Sequence, residues 1–279
     1  MDRLADPEFA VGMIVVLGAT GTTGRRIARR LGPDVRPASR STGFDLADDS
    51  TWAAALDGVE SAYLIEPSVP MTGDRIPRLV QAAVDAGIRR LVFLSAGGID
   101  HADHPLEPAE QAVRGSGLAW TILRPTWFMQ NFTEGPWRQA ILDGELALPA
   151  GHGTTPFIDA DDIADVAVAA LTGNGHAGEI YVLTGPRAVG FGEAVDLIAS
   201  RIGRPARYVD VAPEEYVRRQ VADGVPIRMA QLLTGILVAV REGHGGEVAD
   251  GVERALGRKA RSFEEFVQGI SLSFEQMFW

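Results

Sequence analysis

An α/β chain built around a parallel sheet is predicted by three observations. In the first half of the 279 residues, five short apolar runs alternate with segments whose apolar residues recur at helical spacing. The first run, Met13-Ile14-Val15-Val16-Leu17, ends in Gly18-x-x-Gly21-x-x-Gly24, and the third glycine opens a helical pattern reaching Leu31. Past residue 150 the pattern becomes mostly helical. Alternation of this kind implies a Rossmann-type, doubly wound parallel sheet over residues 1–150. A smaller, mainly helical substrate lobe is expected over 151–279, with strands of that half returning to the main sheet.

The glycine segment combines a buried strand, a tight turn and the start of a helix. Gly18 and Gly21 take backbone angles closed to other residues and let a pyrophosphate approach the main chain. The first N–H groups of the helix and its positive dipole end then hold negative charge. Gly24 lets the helix pack closely. A glycine pattern alone is an ordinary turn as often as a ligand site; here a strand precedes it and a helix follows, which favours a dinucleotide.

Asp34–Ser41 reads as a second strand running into a loop. An acid at its end would select NAD, whereas an arginine accommodates the 2′-phosphate of NADP. Arg40 stands there and no acid follows until Asp45, so NADPH/NADP is the expected cofactor and NAD the less favoured one. Asp45 is placed to accept from an adenine amino group, although an Asx-turn explains it as simply. Ser61–Ile65 is the third strand, with Glu66-Pro67 at its carboxyl end, where ligands of open α/β sheets sit. A helix over Arg75–Gly87 follows from Ile76, Leu79, Val80, Ala83 and Val84 at helical spacing. Leu91–Ser95 is the fourth strand, Glu107–Gly117 a helix, and Ala119–Leu123 the fifth strand.

Arg124–Phe132 follows that strand and is dense in aromatics. Asp159 caps a helix to Leu171, Glu179–Thr184 is another strand, and helices are expected over Glu193–Ile202, Pro213–Ala222 and Ile227–Arg241. Ser262-Phe263-Glu264-Glu265 is a capping box opening a last helix.

Composition narrows the function classes. A net charge of −11 argues against a nucleic-acid or anionic-membrane surface. No apolar run is long enough to span a membrane, and the polar start lacks a signal-peptide core, so a cytoplasmic protein is expected. The absence of cysteine excludes disulfide, thiolate and Cys-ligated zinc chemistry. Lys259 is the one lysine among 26 basic residues, and Ala255 stands four positions before it. The Tyr-x-x-x-Lys pair with which short-chain reductases protonate a carbonyl oxygen is therefore missing.

Two substrate types escape that need. An iminium carbon accepts hydride without obligatory protonation, and a quinone or conjugated carbonyl spreads charge until water protonates it. Glu66, Trp127 and Phe128 would suit a cationic substrate by Coulomb and cation–π attraction. Core packing accounts equally well for the two aromatics. Ser95, at the end of the fourth strand, and His101, in the loop after it, are the weak catalytic candidates. His101-Ala102-Asp103-His104 looks like a metal cluster, but its loop setting favours a polar surface, and no metal is expected.

The chain resembles the NmrA-like atypical short-chain dehydrogenase/reductases. The resemblance rests on the glycine turn, Arg40, Val92-Phe93-Leu94-Ser95, Leu123–Phe132, Pro156–Ala164, Leu256-Gly257-Arg258 and Ser262-Phe263. It is most similar to the ergot-alkaloid festuclavine/agroclavine dehydrogenase branch and its bacterial relatives, through Arg-Pro-Thr-Trp-Phe-Met-x-Asn-Phe. By position, the resemblance implies that Gly18, Thr20, Gly21, Thr22, Thr23 and Gly24 hold the pyrophosphate, Arg40 the 2′-phosphate and Asp45 the adenine. Ile65 and Glu66 would border the ribose, Ser95 and Pro125 the nicotinamide, and Trp127, Phe128 and Asn131 the substrate. The family often carries a lysine in the helix before the fifth strand, where this chain has Glu107-Pro108-Ala109-Glu110. An NADPH-dependent reductase of a small molecule, monomer or homodimer, is expected. The alternative is a dinucleotide-binding redox sensor of the NmrA type that regulates without turnover.

Overall fold

The computed structural model describes residues 12–66, 75–97 and 104–270. The main sheet is built from β1 (Ile14–Leu17), β2 (Val35–Ala38), β3 (Ser61–Ile65), β4 (Arg90–Leu94), β5 (Ala119–Pro125) and a late strand, Glu179–Leu183. The helices between them are α1 (Gly24–Leu31), α2 (Trp52–Leu56), α3 (Arg75–Asp85) and α4 (Glu107–Gly115). All strand pairs are parallel, in the order β2, β1, β3, β4, β5 and then the late strand. The order reverses direction at β1, so the crevice for a ligand lies beyond the carboxyl ends of β1 and β3. Pro37 is tolerated in β2 because that strand is an edge.

Both faces of the sheet are buried, and the two-residue period of the strands sorts their side chains. Val15, Leu17, Ala62, Leu64, Leu91 and Phe93 meet Trp52, Leu56, Ile76, Leu79 and Val113 on one face. Ile14, Val16, Tyr63, Val92 and Leu94 meet Ile27, Ile163, Val166 and Leu171 on the other.

The second half is interleaved with the first. After α5 (Arg138–Leu142), β6 (Glu145–Leu148) and β7 (Thr154–Thr155), helix α6 (Ala160–Thr172) packs on the main sheet and leads into its late strand, β8. β9 (Val189–Gly190), α7 (Phe191–Ile202), β10 (Arg207–Asp210), α8 (Pro213–Ala222) and α9 (Ile227–Arg241) follow. Next, α10 (Gly251–Leu256) places Val252 back in the core of the main sheet, and α11 (Phe263–Gln268) returns to the second lobe. Conversely, Met129, Phe132, Trp137 and Ile141, which precede residue 150, belong to the second lobe's core. That lobe also holds two small sheets, β6 with β10 and β7 with β9, beyond the helices expected of it. The capping box is present: Ser262 N–H donates to Glu265 Oε2 at 2.7 Å and Glu265 N–H to Ser262 Oγ at 3.1 Å.

Candidate functional site

In the turn after β1 the left-handed backbone angle expected of two glycines is taken by Gly18 and not by Gly21. Gly18 has φ +64°, and Gly21 N–H donates to Gly18 O at 2.8 Å. A Cβ on Gly24 would stand 2.2 Å from Gly18 O, so the third glycine packs against the turn itself. Arg25 N–H bonds Gly21 O at 3.1 Å, which leaves the Thr23 and Gly24 N–H groups at the head of the helix outside its i→i−4 ladder. Thr20 and Gly21 are exposed, and Thr22 is half-buried. Thr23 is buried. Its Oγ1 is buried and accepts from Tyr63 Oη at 2.9 Å, so this residue offers a ligand only its backbone.

The neighbouring strands bring their ends to this turn. Gly18 N–H donates to Ala38 O at 2.9 Å, which ties the end of β2 to it. Arg40 follows, exposed, at the head of a single 3-10 turn capped reciprocally by Ser39 and Thr42. Asp45 forms the Asx-turn, accepting from Ala47 N–H at 2.9 Å through Oδ1. Ile65 comes against Gly18, with its Cγ2 placed 3.1 Å from where a Cβ would be. Glu66, next in the chain, is buried.

One strand further, Ser95 N–H donates to Leu123 O at 2.8 Å and Gly97 N–H to Pro125 O at 2.9 Å. The loop after β4 is thereby laced to the end of β5. Ser95 Oγ is buried and has no hydrogen-bond partner among the described residues. A buried hydroxyl left unpaired costs about 1–3 kcal/mol, and such groups are rare unless a ligand completes them. His101 lies outside the described residues. His104 uses its Nδ1 to accept Leu106 N–H at 3.1 Å. Among the described residues no group of three or more metal-ligating side chains is found.

The aromatic run after β5 splits between two cores. Phe128 is half-buried against the main-sheet core, while Trp127 lies on the second lobe, its ring 5.3 Å from that of Trp137. Phe132 is fully buried at the centre of Trp137, Phe157 and Phe263. Asn131 is half-buried beside them, its backbone oxygen accepting Trp137 N–H at 3.0 Å.

Sequence reasoning missed two buried polar links here. Glu110 and Arg124 form a bidentate pair, at 2.9 and 2.8 Å, which bolts α4 to the end of β5 one residue before Pro125. The signal was present: Leu106, Ala109, Glu110 and Val113 form one helical stripe, and a carboxylate on an apolar stripe needs a partner. Gln130, within the aromatic run, donates to Asp159 Oδ1 at 2.8 Å and accepts Ala160 N–H at 2.8 Å, joining that run to the start of α6. Burial pushes the Asp159 carboxyl above its ordinary value, and Asp161 N–H and Gln130 only partly counter it.

A separate cavity of about 200 Å³ opens at the opposite, amino edge of the sheet, among Glu60, Arg90, Thr121 and His176. It contains none of the sequence-predicted site residues. Among the described residues no helix is long and apolar enough to cross a membrane.

A parallel sheet with a glycine turn at its switch point defines the class as a Rossmann-type dinucleotide-fold protein. Residues 42–267 match the NmrA-like family, and the chain belongs to it. It is 33% identical to the NAD(P)H azoreductase of Xenophilus azovorans, over 94% of this chain and 99% of that one. It is 30% identical to festuclavine dehydrogenase of Aspergillus fumigatus, over 91% and 96%. The fold is that of the Citrobacter sp. triphenylmethane reductase solved with NADP(H), with a TM-score of 0.78 at 23% identity, covering 92% of this chain and all of that one.

Proposed function

We propose that this protein is an NADPH-dependent reductase acting on an iminium, quinone or conjugated carbonyl of a small molecule. The observation that carries the reading is the meeting of three features at one edge of the sheet: the glycine turn, the Ile65–Glu66 strand end, and the buried, unpartnered Ser95 hydroxyl. The residues present fit a dinucleotide. Helix N–H groups and the positive dipole end receive the pyrophosphate, and the exposed Arg40 is free to approach a 2′-phosphate. When bound, reduced nicotinamide supplies a hydride. Ser95 Oγ orients the carboxamide or the substrate by a hydrogen bond that no described residue supplies, and Pro125, fixed through Gly97, walls that end. Trp127, Phe128 and Asn131 form the substrate side.

Among the described residues no Tyr-x-x-x-Lys pair accompanies these groups. Lys259 is exposed beyond α10, and the tyrosines stand in β3, β8, β10 and α8 rather than in a Tyr-x-x-x-Lys helix. A carbon that accepts hydride before or without protonation suits such a site. The azoreductase and clavine dehydrogenase relatives support the reductase reading through the activities in their names.

The test is incubation of the purified chain and NADPH with a cyclic iminium, a 1,4-naphthoquinone and an azo dye, following nicotinamide absorbance and product mass. Consumption of NADPH with a reduced product is expected. No consumption, with NADP⁺ and NADPH bound tightly and alike, overturns the reductase and favours the sensor.

A further inference from the structure

Helix α1 breaks a local rule. Its first turn carries Arg25 and Arg26 and no acid, although the positive end of a helix dipole favours carboxylates there. Arg26 is nearly buried, with 11% of its side chain exposed, and it reaches three elements at once. Nη1 donates to Thr22 O at 2.9 Å and to Glu134 Oε2 at 3.1 Å, Nη2 to Glu134 Oε1 at 2.7 Å, and Nε to Asp161 Oδ2 at 3.2 Å. Arg25 also bonds Glu134. Glu134 stands three residues after Asn131, and its own N–H donates to Gln130 O at 2.8 Å.

The bond to Thr22 O has a consequence for the turn. Thr22 C=O and Thr23 N–H belong to one planar trans peptide, so holding the oxygen directs the N–H the opposite way. That N–H is among those at the helix head outside the ladder. Tyr63, through Thr23 Oγ1, fixes the same residue from beneath.

We propose that Arg26, held by Glu134, is a positioning residue that aims the Thr23 amide at the dinucleotide and couples that turn to the segment bearing Asn131 and Trp127. The inference rests on the dinucleotide reading above. Filling the turn fixes Thr22, Arg26 carries the constraint to Glu134, and the substrate wall is ordered as the dinucleotide binds. The two sites thereby help one another by the same factor in either order.

The experiment compares wild type with Glu134→Gln, Glu134→Asp and Arg26→Lys. NADP⁺ affinity is measured by calorimetry, KM and kcat with a 1,4-naphthoquinone, and thermal midpoint by circular dichroism. Loss of charge-assisted bonds predicts NADP⁺ binding about three- to tenfold weaker in Glu134→Gln, a raised quinone KM, and kcat at saturation within about twofold. Arg26→Lys is expected not to rescue, because a point charge cannot span three acceptors in the plane of a guanidinium. Glu134→Asp is expected to fall between wild type and Glu134→Gln. Unchanged NADP⁺ affinity overturns the proposal. So does tighter binding, which would mean that the freed arginines serve the phosphate directly and Glu134 restrains them. A loss that merely follows the thermal midpoint, with Arg26→Lys equal to wild type, also overturns it. A wild type that binds no NADP⁺ overturns the dinucleotide reading itself, and this inference with it.

Discussion

Replacing Gly24 by alanine is the sharpest test of the turn. Alanine is the better helix former by about 1 kcal/mol, so propensity alone predicts a gain. The geometry predicts the reverse. The new Cβ would stand 2.2 Å from Gly18 O, 2.7 Å from Gly18 C and 3.0 Å from Ala19 Cα, all backbone atoms that cannot rotate away. A carbon–oxygen contact needs about 3.3 Å, so helix and turn must part by roughly 1 Å. Overpacking costs about 1–3 kcal/mol, and a clash against main chain belongs at the upper end. Subtracting the propensity gain leaves a net loss of about 2 kcal/mol, or about 4–8 °C in Tm. Dinucleotide affinity falls further, by about tenfold or more, because the displaced atoms are those that cradle the phosphates. Gly115→Ala is the control: nothing lies within 4 Å of its Cβ, so the same change there stabilises by up to about 1 kcal/mol and leaves binding alone. Thermal unfolding and NADP⁺ calorimetry on both variants decide the matter. A Gly24→Ala protein matching wild type in Tm and affinity would refute the account of the turn.

Ser95→Ala removes a buried hydroxyl that has no partner among the described residues, so its Tm stays level or rises by a few degrees while kcat with NADPH falls; thermal melts and steady-state rates check both. Arg40→Ala lowers kcat/KM for NADPH about tenfold or more and leaves NADH nearly unaffected, as read from initial rates with each nucleotide. Burial, and after it Arg90, holds the His176 imidazole below its ordinary value of 6.5, while Glu179 only partly opposes them. The unfolded chain then binds more protons than the folded one just under that pH. The stability from His176 is thus fully present above 6.5 and is lost as pH falls towards the folded value. His176→Gln flattens that part of a plot of urea midpoint against pH.

Local information in the sequence went far. Glycine spacing after a β-branched run identifies a turn, because φ +64° at Gly18 favours glycine and the main-chain contact at Gly24 leaves no room for a Cβ. Helical spacing in Pro213–Ala222 and Ile227–Arg241 gave both helices their observed limits, since a continuous apolar period is stored in adjacent residues. What tertiary structure alone decided is pairing across distance. The strand Glu145–Leu148 alternates half-buried with buried side chains, but its partner, Arg207–Asp210, arrives from a distant part of the chain. Trp127 and Phe128 are neighbours in sequence yet face different cores, and Thr23 turns inward because Tyr63 waits beneath it. The grip of Arg26 on Glu134 joins residues 108 positions apart. Conformational preference is a property of short segments and can be read from them, whereas the partner of a charge or a strand edge exists only once the chain has closed on itself.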